Sequence, residues 1–320
     1  MQYSNTKNMN IELEFIKQSR DPIRFIEKNR FGFNSQTHKD EILKLFNFER
    51  DIVTHINNSK FSIINKSRQQ HLDSIVIAYL LHYIIYNQNK NTLIVVPKLD
   101  VGIRFLERLK TMLFNMKDRP EIVINNKKKL KLDNGCLVNV EAASSNAGRG
   151  YNTDFLIVPE AAYIKDLYHI WLSVEMMLSA KEDSKCIIYS TPYYDDGFFS
   201  DIWGKSIENP FDNFNPITVH WSQNPFCNVG IHTILDKDGN QKLTSPWYEE
   251  QCLTFGGNED MIKRELDLGF ISKKLTKQSM LNVRIPTHLE EQMKVKLNSS
   301  DEFKSISGYI RYLIERDLKI

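Results

Sequence analysis

Phe61-Ser62-Ile63-Ile64-Asn65 runs into Lys66-Ser67-Arg68-Gln69-Gln70-His71-Leu72-Asp73-Ser74, and then into the apolar stretch Ile75–Tyr86. The first five residues are a short β-branched run, which predicts a strand. The last stretch is too short to span a bilayer, where about twenty apolar residues are needed. It also carries His82, so Ser74–Tyr86 reads as a buried helix. A strand, a polar loop and a helix are one unit of an α/β sheet, and the flanking sequence repeats the unit. Thr92–Val96 is a continuous apolar run, as in a strand covered on both faces. In Val101–Met116 the residues Ile103, Leu106, Leu109 and Leu113 recur at the helical period. Leu130–Val140 alternates around Asn134-Gly135 and predicts a hairpin. Phe155–Val158 and Cys186–Tyr189 add two buried strands. Strands separated by helices imply an α/β fold, a mostly parallel sheet with helices on both faces.

The 320 residues are 41% hydrophobic and 26% charged, an ordinary globular composition. A disordered chain, a collagen-like fibre and a disulfide miniprotein are excluded. The net charge of +2 is unevenly spread. Residues 271–320 hold ten Lys/Arg against six Asp/Glu, which leaves 1–270 slightly acidic. Cys136, Cys186, Cys227 and Cys252 make no Cys-x-x-Cys pair, so no zinc site is predicted and the thiols are expected reduced. The opening Met1–Phe15 has no apolar core and does not read as a signal peptide. A soluble, intracellular protein without a membrane partner is expected.

Character changes near residue 271. Residues 1–270 form the α/β domain, 271–279 a basic linker, and 280–320 a compact strand–helix–helix pattern.

Ligands of an open parallel sheet bind at the C-terminal strand ends. Three such ends are polar here: Lys66–Ser74, Pro159-Glu160-Ala161-Ala162 and Ser190-Thr191-Pro192. With Asp21–Ile26, Lys98-Leu99-Asp100, Ala147-Gly148-Arg149-Gly150, Asn215–Trp221 and Trp247–Phe270, in this order and spacing, residues 15–270 resemble the ATPase domain of the large terminases of tailed phages. The resemblance implies a P-loop NTPase-like fold of the terminase type and a Mg-ATP site, and it allows each element to be checked.

The family's loop begins Ser-Arg-Gln, kept as Ser67-Arg68-Gln69, and Arg68 matches the family's loop arginine. Lys66 adds a second cation, and Ser74 is the candidate Mg²⁺ hydroxyl. The loop glycine, however, is His71 and the loop lysine is Leu72. A β-carbon and an imidazole oppose close approach of phosphates, and Asp73 repels them. The family places an acid before the catalytic glutamate. Glu160 is present, but the preceding residue is Pro159, which ligates no metal. The adenine-contacting glutamine aligns with Lys39, with Gln36 as a substitute. Ser190-Thr191-Pro192, which in the family couples hydrolysis to movement, is intact. The expectation is a pseudo-ATPase with Glu160 vestigial or weak, no assigned metal or cofactor, and only weak Mg-ATP binding as the alternative. The residues after 270 are too few for the family's nuclease, so DNA cleavage is not expected.

Leu281, Val283 and Ile285 form one face of a strand, and Met280, Asn282 and Arg284 the other. Thr287 with Glu290 predicts a capping box, and Leu289, Met293 and Leu297 an apolar stripe. Ser305 or Ser307 caps a second helix. This order resembles the ribbon-helix-helix family over 279–320. The resemblance implies a homodimer whose paired strands enter the major groove of duplex DNA, with Met280, Asn282 and Arg284 reading bases. Ser305 and Ser307 would then hold a backbone phosphate, with Lys273, Lys274 and Lys277 adding contacts.

The leading functional reading is a DNA-binding, inactive terminase-like phage protein. It would sit in or regulate genome packaging, with a terminase or portal component as a candidate partner, in the cytoplasm of a bacterial host. The alternatives are an active packaging ATPase working with a separate nuclease, and a ribbon-helix-helix transcriptional repressor.

Overall fold

In the computed structural model, residues 13–34, 37–144, 146–209, 214–236, 239–272 and 316 are described. The chain divides into two units, Met1–Lys273 and Lys274–Ile320. The elements below all belong to the first. The sequence-derived strand–helix–helix, with Lys277, Met280, Asn282, Arg284, Ser305 and Ser307, lies outside the described residues, residue 316 apart.

In chain order the elements are α1 (Pro22–Asn29), β1 (Phe31–Asn34), β2 (Lys39–Ile42), α2 (Asn47–Asn58), β3 (Phe61–Lys66), α3 (Leu72–Tyr86), β4 (Asn91–Val96) and α4 (Leu99–Phe114). Next come β5 (Ile122–Asn125), β6 (Lys129–Leu132), β7 (Leu137–Ala142), β8 (Phe155–Pro159), α5 (Leu167–Ser179), β9 (Lys185–Ser190), α6 (Phe198–Glu208) and β10 (Asn215–Val219). The hairpin β11 (His232–Leu235) and β12 (Gln241–Thr244) precedes α7 (Pro246–Thr254) and α8 (Glu259–Glu265).

One eight-stranded sheet organises them, in the order β10-β3-β9-β8-β4-β7-β6-β5. The strands from β10 to β7 are mutually parallel. β6 and β5 close the edge antiparallel. The strands predicted within 1–270 are present, and the helices predicted at Ser74 and Val101 begin two residues early, at Leu72 and Leu99.

The apolar strand runs are explained by burial on both faces. Ile64, Ile94, Ile157 and Ile187 join the core under α2, α3 and α4. Their neighbours Ile63, Leu93, Leu156 and Ile188 join a second core under α5 and α6. α3 is buried all round, from Ser74 to Ile84, because α1, α2 and α4 pack over its outer side. A helix so placed shows no amphipathic stripe. α4 approaches the sheet at Gly102, where an added Cβ would come within 2.2 Å of Val140.

The hairpin turns where its Asn-Gly pair predicts. Leu130 pairs with Val138, and Gly135 takes φ +83° while its N–H donates to Leu132 O at 3.1 Å. The body continues past 270: Ile271 bridges Tyr194, and Ser272 Oγ donates to Asp195 at 2.7 Å. Among the described residues, no helix is long and apolar enough to cross a membrane.

Candidate functional site: the cleft at the strand ends

β9 lies between β3 and β8. The three polar strand ends read from the sequence therefore open side by side at one edge of the sheet. The end of β3 supplies Lys66 and the loop to His71. The end of β8 supplies Glu160, and the end of β9 supplies Ser190, Thr191 and Pro192.

Lys66, Gln69, Gln70, His71, Asp73, Arg108 and Glu160 line a cleft of about 470 Å³. Lys66 Nζ lies 3.2 Å from Glu160 Oε1, with the lysine side chain 11% exposed and the glutamate 35%. Two residues of the loop hold left-handed backbone: His71 takes φ +51°, and Gln69 takes φ +62°. The left-handed region costs a β-carbon-bearing residue about 1–2 kcal/mol. Glu160 is also left-handed, at φ +52°.

The first half of the loop is stitched into the body. Ser67 is fully buried. Its N–H donates to Val219 O at 2.8 Å, and its hydroxyl donates to Leu266 O at 2.6 Å and accepts from Trp221 N–H at 3.1 Å. Arg68 N–H donates to Glu265 O at 2.6 Å, while the guanidinium reaches Glu265 Oε2 at 3.5 Å. Two amides at the start of the loop thus already have carbonyl acceptors.

Ser74 stands on the other side of the helix start. Its hydroxyl accepts from Arg30 Nε at 3.1 Å and lines a neighbouring cavity of about 570 Å³ rather than the cleft of Glu160. Arg30 in turn makes a bidentate pair with Glu49, both oxygens at 2.8 Å, and the two side chains are almost fully buried. His71 and Arg108 line both cavities. Lys39 is exposed on β2 and is absent from the linings of both cavities. Gln36 is outside the described residues.

At the end of β9, Ser190 is fully buried and its Oγ has no partner among the described residues. Thr191 Oγ1 and Tyr163 OH are 3.2 Å apart, and Tyr163 OH reaches Glu265 Oε1 at 3.5 Å. Glu265 therefore joins the loop, through Arg68, to the Ser190-Thr191-Pro192 strand end. No local pattern marks Glu265: it is a buried acid in an otherwise solvated helical sequence.

Two further residues escape sequence reasoning. Tyr189, buried on β9, donates its hydroxyl to Asp73 Oδ1 at 2.7 Å. Burial, with Asp73 beside it, pushes the phenol well above its ordinary pKa and keeps it a donor. Arg108 faces Asp73 Oδ2 at 3.9 Å from the exposed side of α4. The i, i+4 spacing of Arg104 and Arg108 marks a solvated helix face and not a site.

A cleft at the C-terminal strand ends of a mostly parallel sheet, beside a loop-to-helix turn, is consistent with a P-loop NTPase-like α/β fold. No family model matches the chain. Solved structures share its fold more narrowly. A variant of the large terminase ATPase domain of Thermus phage P74-26 is 16% identical with a TM-score of 0.52, covering 71% of this chain and 95% of its own. The large terminase of bacteriophage HK97 is 13% identical with a TM-score of 0.59, covering 78% of this chain and 55% of its own. A large terminase from a thermophilic bacteriophage, in complex with ADP, is 10% identical with a TM-score of 0.53, covering 71% and 54%. The chain has the fold of phage large terminase ATPase domains, and it spans about half the length of the two longer proteins.

Proposed function

We propose that this chain is a phage packaging-related protein whose cleft has lost Mg-ATP turnover and which binds duplex DNA, as a dimer, through its C-terminal segment. The observation that carries the loss of turnover is the Lys66–Glu160 contact beside Pro159. A working cleft needs an acid for the metal, a free glutamate for water and a cation for phosphate. Here the acid position is a buried proline, and the glutamate and the cation engage each other. Ser74 faces Arg30, and the His71 side chain stands at the loop's glycine position. The residues present do not fit Mg-ATP, and no chemical step is assigned to them. The DNA-binding part rests on the alternating sequence of residues 280–285 and on the basic balance of 271–320.

Calorimetric titration of Mg-ATP into the full chain tests the first part. No binding heat is expected, and H71G/P159D is expected to bind measurably. Micromolar binding by the unaltered protein, with hydrolysis abolished in E160Q, would instead establish an active motor.

A further inference from the structure

The sheet ends in an open edge. β5 is the last strand in the order, and among the described residues no strand pairs with its outer side. Such an edge presents backbone N–H and C=O groups to any strand that can reach it. The register shifts at Val123, which has no partner residue on β6 and is 60% exposed. Ile124 lies opposite Lys131 and is exposed as well.

Two different surfaces flank this edge. On its inner face, where Ile122 pairs with the buried Leu132, there is a hollow of about 480 Å³. Phe114, Arg119, Pro120, Glu121, Ile122 and Asn125 line it. Phe114 is 47% exposed there, with the Arg119 guanidinium 4.7 Å from its ring centre. On the outer face stand Lys129 and Lys131, since Leu130 and Leu132 between and beyond them are buried in the core. Lys127 and Lys128 are exposed in the adjoining turn, which Asn126 Oδ1 braces by accepting the N–H groups of Lys128 and Lys129 at 3.0 and 2.9 Å. Among the described residues, none of Arg119, Lys127, Lys128, Lys129 and Lys131 forms an ion pair with a carboxylate.

These two faces specify the occupant. A strand added to β5 directs alternate side chains into the hollow and the others toward the lysines. The hollow, with Phe114 and Ile122 in its wall, takes apolar side chains, and the lysines take carboxylates. A second copy of this edge is the wrong partner. Residues 117–131 carry six Lys/Arg and two Asp/Glu, so two such edges repel each other. Lysines and bulges are how sheet edges avoid their own kind. The same lysines favour an edge of opposite charge. A phosphate backbone would use the cations but leave Phe114, Val123 and the strand edge uncovered.

We propose that β5 is a docking edge for an extended segment of another protein, one with alternating apolar and acidic residues that adds to the sheet as a ninth strand. The proposal goes beyond the reading above and depends on neither the cleft nor the C-terminal segment.

The probe is a fluorescein-labelled peptide of sequence EVDVEVDVE, titrated with the full chain and read by anisotropy. The comparison peptide EEVVDDVVE has the same composition without the alternation. The alternating peptide is expected to bind about tenfold more tightly, because only it separates an apolar from an acidic face. F114S and K127E/K128E/K129E should each weaken its binding about tenfold. K17E/K165E/K205E, the same change of charge at lysines exposed elsewhere on the body, should leave it unchanged. High salt should erase the effect of the lysine variant and spare that of F114S. The substituted side chains are exposed or half-exposed, so melting temperatures should hold; F114L and K127Q/K128Q/K129Q should give smaller losses in the same direction. Equal affinity for the two peptides would reduce the surface to a charge contact and overturn the proposal. Absence of binding by either peptide would overturn it too. So would a lysine variant that loses a 30-base-pair duplex but keeps the peptide, which would assign the surface to nucleic acid.

Discussion

Lys66 Nζ, at the end of β3, and Glu160 Oε1, at the end of β8, meet at 3.2 Å across the end of the intervening strand β9. The acid that follows β8 is thus held by the cation that ends β3. Removing Glu160 should therefore be felt first in stability. E160Q is expected to lower unfolding free energy by about 1 kcal/mol, a modest figure because the glutamate is partly exposed. Urea denaturation measures it. An E160Q protein of unchanged stability would mean that the contact contributes nothing to the fold.

His71 holds a left-handed conformation that glycine adopts without cost. H71G should raise stability by about 0.5–1 kcal/mol, the relief of strain less the extra freedom glycine gains on unfolding. Most substitutions to glycine destabilise. A lowered melting temperature would show that the imidazole contributes more than its backbone strain costs.

The Arg30–Glu49 pair fastens the segment after α1 to the start of α2, and Arg30 Nε reaches the Ser74 hydroxyl on α3. Breaking it from one side leaves a buried carboxylate without its partner. R30M is expected to cost about 3–5 kcal/mol, and R30M/E49L distinctly less, since both charges then leave the interior. Equal losses in the single and double variants, read from denaturant midpoints, would contradict this account.

R284A should weaken binding to a guanine-containing site by about 1–3 kcal/mol, with little effect at a site that lacks the guanine. Selection of bound duplexes from a random pool, followed by titration of the winner, provides the measurement. Unchanged affinity at that site would remove residues 280–284 from DNA recognition.

Much of the fold follows from local sequence. Leu93-Ile94-Val95-Val96 and Leu156-Ile157-Val158 are apolar without alternation, because each strand feeds a core on either face. The Asn134-Gly135 turn is equally local, since Gly135 needs a positive φ and glycine supplies it. The polar strand ends Lys66 and Glu160 are also legible in the sequence, and strand order places them at one end of the sheet.

The three-dimensional neighbours of those residues are a different matter. A strand end specifies where a side chain leaves the sheet, while strand order specifies what it meets. The order β3-β9-β8 brings Lys66 to Glu160, and only the docking of α8 brings Glu265 beneath Arg68 and beside Tyr163. Ser74 sits on the expected helix, but its hydroxyl meets Arg30, which the packing of α1 and α2 against α3 brings there. Local periodicity determined which segments are strands and helices. Packing between segments distant in sequence decided which charges pair, because an ion pair depends on distance in space and leaves no trace in spacing along the chain.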